Sequence, residues 1–161
     1  MADASQYDTT VLFQRGDWSV EHTYNTLEGN SWCAADTVNT AGQWFSVVAY
    51  DHGGAAIIVG DPRWRPSARA VRFRVDVDYS RWNINGAAKD EAVSVFLRGE
   101  ADVSEFIGQL MEGVAVAVYS EEDRRLATFS LNGSRLAVQA LFACWTRIEG
   151  SDPFTRASDP F

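Results

Sequence analysis

Cys33, Cys144, His22 and His52 are the residues of this chain best suited to covalent or metal chemistry, and their spacing restricts what they can do. The cysteines fit no C-x-x-C redox or zinc pattern, so a metal site would need both of them to converge with both histidines. Cys144 lies in FSLNGSRLAVQALFACWTRIE, between Phe142 and Trp145, near the end of an apolar helical stripe. A nucleophilic thiolate wants an electropositive, partly exposed setting, which that stripe does not offer. The residues alone leave two readings open. Either Cys33 and Cys144 are two inert buried thiols, as free cysteine often is, or they form one disulfide, whose long loop stabilises by about 4 to 5 kcal/mol in the chain-entropy model.

His22 alternates with Trp18, Val20 and Tyr24 opposite Ser19, Glu21 and Thr23, which describes a core or edge position on a strand. His52, in Asp51-His52-Gly53-Gly54, reads as a turn residue. Paired with an aspartate, either histidine could act as the base of a small hydrolase, the most remote functional reading. Asp76 and Asp78 stand two apart on one strand face, where Arg72 and Arg74 would keep both ionised. That is a solvated charge ladder rather than an acid/base pair. Ser134 lacks the G-x-S-x-G elbow and reads as a helix cap; Asn132-Gly133-Ser134 is also a glycosylation sequon, which matters only in a eukaryotic secretory route. No phosphate-cradling glycine loop or cofactor motif is present, so no catalytic, cofactor-binding or metal residue is assigned.

Recognition chemistry is better represented. Trp64 in PRWRP and Trp82 in SRWN are both flanked by arginine and both fall in stretches that read as loops. If exposed, Trp64, Arg65, Arg81 and Trp82 could stack on a sugar or anchor a protein partner. The competing arrangement folds each indole back onto the core with an arginine over the ring.

The elements that must position these residues alternate with period two. In VRFRVDVDY, Val71, Phe73, Val75, Val77 and Tyr79 share one face, and Arg72, Arg74, Asp76 and Asp78 share the other. WFSVVAY and AAIIVG, joined by the glycine-containing DHGG connection, predict a hairpin; AVSVFLRG, VAVAVYS and LATFSL are strand-like, with VAVAVYS central. Two segments break the pattern. ADVSEFIGQLMEG has helical spacing, with Asp102 and Glu105 as a capping pair and Gly113 as the stop. The second helix, capped at Asn132 or Ser134 and ending at Gly150, carries Leu136, Ala137, Ala140, Leu141, Cys144, Trp145 and Ile148 on one broad apolar face.

The expected architecture is α+β and mainly β: an antiparallel sheet, sandwich or partly closed barrel with two short helices in the C-terminal half. Residues 1–15 are expected as an N-terminal arm, 16–150 as one globular domain and 151–161, with SDPF repeated, as a mobile tail whose Phe154 and Phe161 could alternatively dock into a partner. A 161-residue chain can bury a real core as one domain. Its 14 basic against 22 acidic residues, a formal net charge of −8, oppose nucleic-acid binding, because Asp61, Asp76 and Asp78 stand at the two ends of the arginine run from Arg63 to Arg74. No apolar run approaches the roughly 20 residues that span a bilayer, so membrane insertion is not expected. The start MADASQYD reads equally as an initiator methionine on a mature exported chain or as a native cytoplasmic terminus.

The order of features carries a resemblance. Helix FIGQLMEG, strand VAVAVYS and then TFSLNGSRLAVQALFACW resemble the C-terminal half of bacterial envelope proteins of the invasion-associated locus B type. Related small exported proteins, among them some type VI secretion accessory proteins, end similarly with a helix-borne cysteine. The resemblance implies a largely β protein of the periplasm or cell surface with no catalytic residues to carry over, and it implies that Cys144 is the late cysteine, bonded to Cys33. The function expected from it is non-enzymatic: binding an envelope or cell-surface partner, protein or glycan, without a cofactor. The alternative is a carbohydrate-binding module or an inhibitor of a cell-wall-degrading enzyme that uses the same tryptophans. The acidic balance and the SDPF tail depart from the family.

Overall fold

In the computed structural model, residues 6–151 are described, and the SDPF tail from Asp152 onward lies outside them. Ten strands and two helices follow in the order β1 (Tyr7–Arg15), β2 (Trp18–Asn25), β3 (Ser31–Val38), β4 (Trp44–Tyr50), β5 (Ala55–Gly60), β6 (Arg69–Val77), β7 (Ser80–Lys89), β8 (Ala92–Phe96), α1 (Glu100–Glu112), β9 (Ala115–Ser120), β10 (Arg125–Ser130) and α2 (Ser134–Ser151). The strands form one sheet in the order β1-β2-β3-β4-β5-β8-β7-β6-β9-β10, every neighbour antiparallel. The sheet is curled into a half-barrel, the partly closed, mainly β architecture that the sequence predicts, with both helices in the C-terminal half.

Alternation explains which face is buried. Val20, Cys33, Phe45, Val47, Ile57, Val59, Phe73, Val75, Val116, Val118 and Phe129 line one face and merge with Phe106 and Leu110 of α1 and Val138, Leu141 and Cys144 of α2 into a single core. α2 packs mainly across β1 to β4 and against α1, and Ser134 Oγ donates to the Leu110 carbonyl at 2.6 Å to join the two helices. Trp18, 1% exposed, is wedged edge-on against Phe45. Gly60 is obligatory under Trp44, because a Cβ there would stand 2.0 Å from the indole.

Several expectations are corrected. Tyr7–Arg15, assigned to the arm, is a strand paired with β2 along its length. Trp82, assigned to a loop, lies inside β7. Tyr79 leaves the core face because Asp78 turns the chain at φ 51°, and its ring is fully exposed. The Asp102 and Glu105 capping pair does not form: α1 begins after Gly99 with no side-chain cap, although it stops at Gly113, whose N–H bonds to the Gln109 carbonyl. Ser134 spends its hydroxyl on Leu110 rather than on its own helix, and α2 runs through Gly150 to Ser151.

Candidate functional site

Cys33 of β3 and Cys144 of α2 form a disulfide with a Cα–Cα distance of 6.1 Å. Both residues are buried, and no free cysteine stands among the described residues. β3 faces Cys33 into the core, and the stripe from Ala137 to Ile148 turns Cys144 toward it, so the bond clamps the last helix across the first strands. His22 stands opposite Cys33 in the β2–β3 pairing, and its Nε2 is buried without a hydrogen-bond partner among the described residues. His52 is exposed and stacks on Tyr50, with ring centroids 5.2 Å apart. Among the described residues, no group of three or more His, Cys, Asp and Glu side chains converges as a metal set.

The four recognition residues separate into three places. Trp64 and Arg65 lie in the connection after β5, where Asp61 organises the chain. Asp61 is 1% exposed and accepts from the Arg63 backbone N–H, from Arg63 Nε and Nη2, and from Gln43 Nε2, all within 3.0 Å. The Arg63 guanidinium holds its carboxyl well below the usual carboxylate range, against the cost of burial. Trp64 N–H bonds to the Asp61 carbonyl, and the half-buried indole packs on the core. Arg65, its side chain 71% exposed, donates to the carbonyls of Pro62 and Trp64 and faces Glu91 at 3.5 Å. Together they border an open cleft of about 990 Å³, lined by charged residues of both signs, among them Arg69, Arg72, Arg124, Glu121 and Glu122, and by the apolar Val71, Phe73 and Val93.

Trp82 belongs to another place. β7 and β8 pair only from Ala87 to Lys89, and beyond that pairing α1 lies beside β7. There the Trp82 ring meets Phe106 edge-on at 5.4 Å and its Nε1 donates to Gln109 Oε1 at 2.7 Å, in a second cleft of about 550 Å³. This is the folded-back arrangement, with a helix rather than an arginine over the ring. Arg81 points to the other face of β7, 62% exposed and 4.0 Å from Asp76. The charge ladder is partly present: Arg74 pairs with Asp76 at 2.9 Å and lies over the Tyr119 ring, Arg72 reaches Glu121, and Asp78 accepts from the Val114 and Ala115 N–H groups.

Two polar features escaped the sequence reading. The outer edge of β10 is latched by side chains: Gln43 Nε2 donates to the Leu126 carbonyl, Asn39 Nδ2 to Thr128 and Trp18 Nε1 to Ser130, each within 3.0 Å. These alternate carbonyls would otherwise lack partners at a sheet edge. The second is Asp36, which burial pushes up to about 7, with Glu21 beside it adding to the shift and a Ser46 hydrogen bond opposing it. Asp36 sits in an Ala-Ala-Asp-Thr run whose alternation is weak, so the only signal was an acidic residue inside an otherwise apolar stretch.

No family model matches the chain, and none of the curated proteins compared with it matches. Among solved structures, the fold is similar to the crystal structure of invasion associated protein B from Bartonella henselae, with a TM-score of 0.58 and 16% identity over 85% of this chain and 99% of that one. The chain therefore shares the fold of invasion associated protein B.

Proposed function

We propose that this chain is an exported, disulfide-locked protein that acts by binding an envelope or cell-surface partner and performs no catalysis of its own. The observation that carries the reading is the buried Cys33–Cys144 bond, a cross-link that persists in oxidising compartments and is rare where thiols are kept reduced. The fold shared with invasion associated protein B supports this reading. The proposed contact surface is the Trp64 and Arg65 cleft, where an aromatic ring, exposed guanidinium groups and apolar side chains supply the mixture that anchors partners. Arg81 is a secondary contact on the outer face, and Trp82 shapes the neighbouring cleft. A glycan partner is the second reading, favoured by an indole beside guanidinium groups in an open cleft. Affinity capture from a native envelope extract tests the proposal: a partner held by the wild-type chain and released by Trp64→Ala supports it, and equal retention by both rejects the cleft.

A further inference from the structure

β2 occupies one edge of β1, and among the described residues no strand occupies the other. Every residue of β1 except Phe13 is exposed, including Val11 at 60% and Leu12 at 39%. From Thr9 to Phe13 the strand carries no charge, and it has neither the lysine nor the proline that commonly keeps a bare edge single. We propose that this edge docks a second copy of the same chain, the two β1 strands pairing antiparallel about a two-fold axis.

The register follows from the bulge. Asp8 and Arg15 are seven positions apart, and in an unbroken strand residues an odd number apart point to opposite faces and cannot meet in such a pair. The register of β1 against β2 shifts between Val11 and Phe13, leaving Leu12 as the extra residue. As a result Asp8, Thr10, Phe13 and Arg15 share the face of Tyr24, His22, Val20 and Trp18, while Thr9, Val11 and Gln14 share the face of Thr23, Glu21 and Ser19. Setting Asp8 of one copy opposite Arg15 of the other then sets Thr9 opposite Gln14 and Thr10 opposite Phe13, each pair on a common face. The bulges meet with Val11 against Leu12, so neither strand has a residue left over. Two-fold symmetry makes the Asp8–Arg15 pair twice, and neither residue has an ion-pair partner among the described residues. The charge pattern of the edge is complementary to itself, which identifies a second copy as the occupant.

Sedimentation equilibrium of the full chain, with Asp8→Arg and the swapped double variant Asp8→Arg/Arg15→Asp, tests this. The wild type is expected to dimerise reversibly. Asp8→Arg, which places like charges opposite each other twice, weakens the dimer about tenfold, and the swap restores it. A chain that stays monomeric at every concentration up to its solubility limit overturns the proposal, as does a dimer that Asp8→Arg leaves unchanged.

Discussion

At the β10 end of the sheet, Gln43, Asn39 and Trp18 reach across and donate to the outward carbonyls of Leu126, Thr128 and Ser130, whereas at the β1 end no strand among the described residues meets the outer edge. Side chains hold the β10 edge against the β3–β4 turn and keep the half-barrel curled. β1 is held from its inner face instead: α2 lies across β1 to β4, the disulfide ties that helix to β3, and the β1–β2 turn rests on the start of α2 through the Asp17 N–H bond to the Asn132 carbonyl. Gly16 makes that contact possible, since its φ is 60° and a Cβ would come within 2.8 Å of the same carbonyl. Clamping a strand from beneath stabilises it and leaves its edge open. Latching an edge with side chains stabilises it and uses it up.

Three perturbations discriminate between these two forms of support. The largest effect is expected from Cys33→Ala/Cys144→Ala. Chain entropy for a loop closed at a separation of 111 residues predicts a loss of about 4 to 5 kcal/mol, read as a lower midpoint in denaturant. In hydrogen exchange, β1 and β2 should lose protection before β9 and β10 do; uniform loss would erase the distinction. Next comes Gln43→Ala, which leaves Asp61 and the Leu126 carbonyl without a donor they share. Its expected cost is about 1 to 3 kcal/mol, with the added exchange concentrated in β10, and an unchanged β10 would contradict the latch.

The smallest effect is a pH dependence of opposite sign at the two ends. Asp36 lies in β3 and its folded pKa, about 7, is above its ordinary value of 3.8. The proton it retains favours the folded state fully at pH below the ordinary value, and that contribution is lost as pH rises through about 7. Asp61, beside the latch, is shifted the other way by Arg63; its contribution is present above the ordinary carboxylate range and is lost as pH falls through its depressed folded value. Asp36→Asn should therefore stabilise the chain by on the order of 1 kcal/mol at pH 8, with no gain at pH 3. Thermal unfolding at the two pH values measures it, and an equal effect at both would show that Asp36 does not titrate in this window.

Much of this architecture is legible locally. The β4–β5 hairpin follows from two apolar runs around Gly53-Gly54, β6 from its strict alternation up to Val77, and α2 from the spacing that brings Leu141, Cys144 and Ile148 onto one face. β3 is less legible because Ala34 and Ala35 are both buried on opposite faces, which removes the alternation. β7 looks like a loop because its outward residues are Arg81, Asn83 and Asn85, and its inward row includes Gly86. β1 looks like an arm because Phe13 alone of its residues reaches the core. The latch was not readable at all: Gln43 meets Leu126 across 83 positions and Asn39 meets Thr128 across 89, and neither segment carries a local mark of its partner. The candidate site was half legible. Trp64 and Arg65 fall in a connection, as the sequence reads them, and border a cleft, but the flanking pattern shared by Trp64 and Trp82 gives no hint that α1 covers only the second.

The proposed role of the Trp64 and Arg65 cleft is to bind an envelope partner. The most direct measurement is the amount of partner retained from native envelope extract by immobilised wild type, by Trp64→Ala/Arg65→Ala and by Arg81→Ala. A partner is expected to be held by the wild type, mostly held by Arg81→Ala and lost by the double variant. Retention of that partner by a folded double variant at the wild-type level would contradict it.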